Sequence, residues 1–413
     1  DARIGSLVVN PGGPGAPGTS YAAQARDVFR RPLLERFDIV GFDPRGTGAS
    51  SPVDCLGDAA LDDYIATDPD PDTAAERRAF AGWVEAIGEG CVERSGKLAD
   101  HVTTVEAARD IDILRAALGE DRLSYFGASY GTKLGATYAD LFPDRAGRLV
   151  LDGAVDLSLG LRDLSLGQAA GFETALRAYV ADCVDSEDDC FLGDSVEEGL
   201  ERIRTFIDEV DAEPLPTDSD RELEVGNAFY GIVAPLYNAD YWFILSQALR
   251  SGFSGDGSIL IRLSDLYTSR GSKGYDDNSI EALYAINCLD DPSAIPPSEV
   301  AANLPAFEEA SPTFGRVFAW GLTACAGVEA RSTEPERTVT AAGAPPIVVV
   351  GTSRDPATPY AWAVSLAEQL ESGVLVSRDG DGHTGYNSGN ECVDEAIESY
   401  LIDGKVPQDG LSC

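Results

Sequence analysis

Between Leu123 and Leu141 the chain runs LSYFGASYGTKLGATYADL, a short apolar stretch, a glycine-serine-glycine turn and a helix-like stretch. Gly127-Ala128-Ser129-Tyr130-Gly131 is a G-x-S-x-G sequence between a predicted strand and a predicted helix. A serine on so sharp a turn is held in a strained backbone conformation with its hydroxyl above a sheet. The residues two before and two after it meet across the turn, so both must be small. The helix that follows aims its amide end at the serine, where negative charge would develop. The motif alone is weak, and an ordinary strand-to-helix turn with an incidental serine is the bland alternative. Strand before and helix after are the context that gives the motif meaning.

The rest of the chain supplies the matching architecture. SLVVN (Ser6–Asn10) and FDIVGF (Phe37–Phe42) are buried-strand patterns, and RLVLD (Arg148–Asp152) is another. TTVEAARDIDILRAAL has Val105, Ala108, Ile111, Leu114 and Leu118 at helical spacing, with threonines to cap it. Residues 52–99 read as acidic and loop-rich. Alternating strands and helices predict a mostly parallel sheet flanked by helices, an α/β fold. From about Val155 to Ala342 the pattern turns helical, and strands return at PPIVVVGTSRD and GVLVS. The expected organisation is therefore a core over 1–154, a helical lid over 155–342, and the rest of the core over 343–413.

A nucleophilic serine needs a base, and the chain has two histidines, His101 and His383. In a sheet carrying this turn the chain order is serine, acid, histidine. That order selects His383, in the loop RDGDGHTGY, and leaves His101 as a surface or capping residue. Asp355 in GTSRDPATP follows a strongly apolar strand and is the preferred acid; Asp152, one strand earlier, is its rival. The amide of Tyr130 is one expected oxyanion donor, and the glycine-rich loop Asn10–Gly15 (NPGGPG) is expected to carry the other. That loop lacks the G-x-G-x-x-G and Gly-Lys-Ser/Thr spacings of nucleotide sites, so no cofactor is expected.

Composition narrows the partners. The formal net charge is −39, which repels phosphate backbones and argues against nucleic acid. No apolar run approaches the ~18 residues of a membrane helix. The eight cysteines include no C-x-x-C pair, so a metal cluster is not expected. Their even number favours disulfides and an oxidising compartment over free thiols in a cytosolic protein. Nearest-neighbour pairing, Cys55 with Cys91, Cys183 with Cys190, Cys288 with Cys325 and Cys392 with Cys413, keeps each loop local. With no methionine and no leader pattern, the chain reads as a trimmed, secreted product.

Taken in order, NPGGPG, DPRGTGASS, GASYGT, GTSRDPATP and GDGHTGY resemble the secreted bacterial tripeptidyl aminopeptidases, relatives of proline iminopeptidases with the α/β-hydrolase fold. The resemblance spans nearly the whole chain. It implies a serine exopeptidase acting on peptides with free N-termini, with Ser129, Asp355 and His383 as triad and Gly13 and Tyr130 as oxyanion donors. Some relatives are described as carboxylesterases, so esterase activity stays open. Family members carry two strands ahead of the NPGGPG strand, so a sheet edge is expected here to be either uncovered or covered by something outside this sequence. An aminopeptidase must bind an ammonium group, and Asp290 and Asp291 are the candidates, with a solvated surface pair as the alternative. Arg45 either contacts substrate or ties its own loop. Tyr237, Tyr241 and Trp242 either line the pocket or fill the lid core.

Overall fold

The computed structural model describes residues 3–186, 190–335 and 337–413. Seven strands form one sheet: β1 (Gly5–Asn10), β2 (Phe37–Gly41), β3 (Leu123–Ala128), β4 (Ala146–Asp152), β5 (Ile347–Arg354), β6 (Gly373–Asp381) and β7 (Leu411–Ser412). Their spatial order is β2-β1-β3-β4-β5-β6-β7, and every pairing is parallel. The α/β-hydrolase fold is thus present, with β2 as one edge, paired on one side with β1.

Both faces of the sheet are covered, which is why its strands are apolar at successive positions rather than alternating with polar residues. Leu7, Val9, Phe126, Val150, Val348 and Val376 face a layer that includes Phe29, Ile397 and Tyr400. Val8, Tyr125, Leu149, Leu151, Ile347 and Val349 face the other, with Ala108, Ile111, Leu134 and Leu366. The two sets alternate along each strand, as the pleat requires.

The helical insertion opens with the helix Leu161–Ser186 and has its own core, built from Phe172, Leu176, Leu200, Ile203, Phe206, Ile232, Leu245 and Leu260. In the helix Val196–Ala212, buried Leu200, Ile203, Phe206 and Val210 form one stripe at helical spacing. The helix Ser279–Asp290 behaves differently: its Ala282, Ala285 and Ile286 are buried in the core beneath the sheet.

One expectation needs correction. The segment 52–99 is not loop-rich but contains the helices Asp58–Ala66 and Ala74–Ser95, the second of 22 residues. A capping box starts it, with the Thr73 hydroxyl accepting from the Glu76 amide and the Glu76 carboxylate accepting from the Thr73 amide. Two of its glycines, Gly88 and Gly90, look like breakers in sequence but act as spacers. A methyl on Gly90 would lie 2.0 Å from the Cys55 carbonyl oxygen, so only glycine permits that approach.

All eight cysteines are paired: Cys55–Cys91, Cys183–Cys190, Cys288–Cys325 and Cys392–Cys413. No helix among the described residues is long and apolar enough to cross a membrane.

Candidate active site

From β1 the chain crosses to β2 on one side and then to β3 on the other, so the direction of winding reverses between β1 and β3. At such a switch point the loops leaving the carboxyl ends of the strands part and open a crevice. Asn10 pairs with Gly127 there, which sets the NPGGPG loop beside the G-x-S-x-G turn.

Ser129 has φ 56° and ψ −127°, a region that non-glycine residues avoid, at a cost of about 1–3 kcal/mol. Its surroundings hold it there. The Ser129 amide donates to the Asp152 carbonyl at 2.8 Å, and the Ser129 carbonyl accepts from the Thr132 amide and hydroxyl at 2.8 and 2.6 Å. The need for small neighbours is visible: a methyl on Gly127 would sit 2.3 Å from the Gly131 carbonyl oxygen.

The NPGGPG loop lies on this turn. Gly12 has φ 104° and Gly13 φ 102°. A methyl on Gly12 would come within 2.7 Å of Ser129 Cβ, 2.8 Å of the Ala128 carbonyl oxygen and 3.2 Å of the Tyr130 nitrogen. Tyr130 is the first residue of the helix Tyr130–Leu141, so its amide has no acceptor within the helix. Gly12→Ala is therefore expected to push the loop off the turn by about an ångström and lower kcat/KM roughly 100-fold. Steady-state kinetics on a variant with an unchanged circular-dichroism spectrum tests this; a loss under threefold would contradict the packing argument.

His383 follows β6 and Asp355 follows β5, so adjacent strands bring them together. His383 Nδ1 lies 2.9 Å from each Asp355 oxygen. Asp355 is itself fixed: Oδ1 accepts from the amides of Ala357 and Thr358, and Oδ2 from the Thr358 hydroxyl and the Thr384 amide. The His383 side chain is 11% exposed, and its Nε2 is buried and makes no hydrogen bond, to Ser129 Oγ or to any other described atom. Such bonds are often long before substrate binds. Burial depresses the imidazole's pKa, but the Asp355 carboxylate, helped by Asp152, outweighs it and holds the group above its ordinary value.

Asp152, the rival acid, does other work. Its carboxylate accepts from the amides of Gly385 at 2.7 Å and Tyr386 at 2.9 Å, while its carbonyl holds Ser129. One residue thus ties the serine turn to the histidine loop. Complete burial pushes the Asp152 carboxyl up to about 6, against those two amide bonds. Nothing in the spacing of the sequence marks that bridging role.

Asp290 ends the helix Ser279–Asp290 and Asp291 follows it directly. Asp290 pairs with Lys133 at 2.7 Å and accepts from the Thr104 amide and hydroxyl. The carbonyl end of the helix disfavours an anion, so these donors are what stabilise it there. Asp291 accepts from the amides of Leu161 and Ser293. Both carboxylates have donors within the protein, and both residues are only partly buried.

The remaining candidates separate cleanly. His101 is exposed and lies 3.0 Å from Glu106, far in role from the base. Arg45 grips Asp110 through two nitrogens at 2.7 and 2.8 Å, tying its own loop. Trp242 is buried in the insertion core, Tyr241 is exposed, and Tyr237 packs against His383.

A parallel sheet with a serine on a strained turn and a buried histidine–carboxylate pair at the same edge defines a serine hydrolase of the α/β-hydrolase fold. Residues 311–413 match the model of the TAP-like protein family. Over its full length the chain is 37% identical to serine protease Hip1 of Mycobacterium tuberculosis, covering 81% of that protein. It is 36% identical to Carboxylesterase B of the same species, covering 80%. It is 31% identical to tripeptidyl aminopeptidase of Streptomyces lividans, covering 77%. The chain belongs to this TAP-like family of α/β-hydrolases, which includes serine peptidases.

Proposed function

We propose that the protein is a secreted serine exopeptidase that releases short peptides, tripeptides in particular, from free N-termini. The observation that carries the reading is His383: Nδ1 is held by both oxygens of Asp355, while Nε2 is buried without a partner at the edge where Ser129 stands. In this scheme Nε2 takes the Ser129 hydroxyl proton as Oγ attacks the scissile carbonyl. The amides of Gly13 and Tyr130 receive the oxyanion. The imidazolium then protonates the leaving amine, and water hydrolyses the acyl-enzyme by the same route in reverse. Asp355 keeps the proton on Nδ1 and stabilises the imidazolium. The insertion acts as the lid, leaving peptide access between it and the sheet edge. The four disulfides support an oxidising, extracellular setting.

A carboxylesterase is the second reading, favoured by the similarity to Carboxylesterase B. Free and N-acetylated oligopeptides, together with short nitrophenyl esters, separate the two. On the peptidase reading, acetylation lowers kcat/KM about 100-fold or more, because it removes the ammonium group by which the N-terminus is recognised. Mass spectrometry of the free peptide's products should show loss of three residues at a time. Equal cleavage of blocked and free peptides would overturn N-terminal recognition, and turnover of esters alone would establish the esterase.

A further inference from the structure

Tyr237 belongs to the helical insertion yet touches the base. It closes the short turn Ala234–Tyr237, and its carbonyl accepts the His383 amide at 2.8 Å. The approach is tight on the histidine side: a methyl on Gly382, where φ is 98°, would lie 3.0 Å from that carbonyl oxygen. The Tyr237 ring meets the imidazole nearly perpendicularly, at 85°, with centroids 5.4 Å apart. The insertion holds the ring in turn. Phe172 packs on it at 5.7 Å, and its hydroxyl lies 3.3 Å from that of Tyr267. The opposite walls of the imidazole come from the core, with Asp355 on Nδ1 and Gly153 beside Cε1.

We propose that Tyr237 is a positioning residue for His383: its carbonyl sets the backbone of the base and its ring keeps water from the imidazole, so that the insertion completes the base. This rests on the reading of His383 as the general base. It gives the insertion a task beyond covering the crevice, since a displaced lid would leave the histidine both loose and wet.

The sign of the effect follows from what faces the ring. Asp355 and Asp152 favour the imidazolium, the neutral phenols of Tyr237 and Tyr267 carry no charge at neutral pH, and burial favours the neutral base. Admitting water removes the last of these effects first, so His383 should protonate at higher pH.

With two histidines in the chain, the imidazole can be read directly. In the full-length protein labelled with 13C-histidine, NMR titration gives two curves, and exposed His101 is the internal control. In Tyr237→Leu the His383 midpoint is expected to rise by about half a pH unit or more, with His101 unmoved and the acid limb of kcat/KM moving in step. Tyr237→Phe, which keeps the ring, should retain the wild-type midpoint. Should the leucine variant fail to fold, Tyr237→Met, whose unbranched side chain adapts to an irregular gap but has no flat ring, is read the same way. An unchanged or lowered midpoint without the ring, or a phenylalanine variant displaced as far as leucine, would overturn the proposal. A wild-type acid limb that ignores the His383 titration would instead sink the general-base reading, while the NMR shift still judges the Tyr237 contact.

Discussion

Ser129→Ala is expected to lower kcat by about 10⁵- to 10⁶-fold, the loss seen when a nucleophile that works as part of a triad is removed. The fold should survive. Ser129 is held through its backbone, by the Asp152 carbonyl on one side and Thr132 on the other, and alanine keeps both of those bonds. Alanine also shares the disfavoured φ of 56°, so no strain is added that serine did not already carry. The stability change should therefore stay within about 0.5 kcal/mol. Turnover of a free tripeptide anilide and labelling by a fluorophosphonate both report the outcome. A variant that turned over normally would remove Ser129 from the chemistry while leaving the fold description untouched.

Asp355→Asn should cost about 10⁴-fold in kcat, for a reason of hydrogen-bond direction. Two amides, from Ala357 and Thr358, require an oxygen at the Oδ1 position. The new NH2 must then occupy the Oδ2 position, where it meets the Thr384 amide, a second donor, and His383. The imidazole can answer only by accepting at Nδ1, which moves its proton to Nε2 and leaves it unable to take the serine proton. The pH profile distinguishes this from simple damage. Burial lowers the His383 pKa and Asp355 is the main influence raising it, so the residual activity should show its acid limb at lower pH than the wild type. The same pair bears on stability: its contribution is full below the ordinary histidine range and is lost as pH rises through the raised folded-state value. A loss under tenfold with an unmoved acid limb would show that Asp355 is not the partner that matters.

The opposite directions of the two pH shifts are useful together. Removing the carboxylate lowers the titration of His383, whereas removing the Tyr237 ring raises it. One site with two walls, one charged and one aromatic, accounts for both.

The legible parts of the molecule are those whose physics is local. Gly127 and Gly131 announce a turn that only small residues can close, and a would-be methyl at Gly127 finds the Gly131 carbonyl where the sequence argument put it. The apolar runs SLVVN and IVVVG announce strands buried on both faces. The segment 74–95 was not legible, because glycines that serve close helix packing look the same in sequence as glycines that break helices. The partners of Asp290 were not legible either, because only the fold brings Lys133 and Thr104 onto it.

What the amino-acid sequence determined by itself was the class of fold, the serine on its turn, and the chain order that nominates Asp355 and His383. Short-range sterics and the two-residue and 3.6-residue periods carry that information along the chain. Only the tertiary structure decided that Asp152 bridges the serine and histidine loops, and that Tyr237 of the insertion walls the imidazole. The Asp152 contacts with Gly385 and Tyr386 and the Tyr237 contact with His383 join residues more than a hundred positions apart. Nothing in local spacing encodes them, because they arise where separate strand ends and an inserted helix bundle are packed into the same few ångströms.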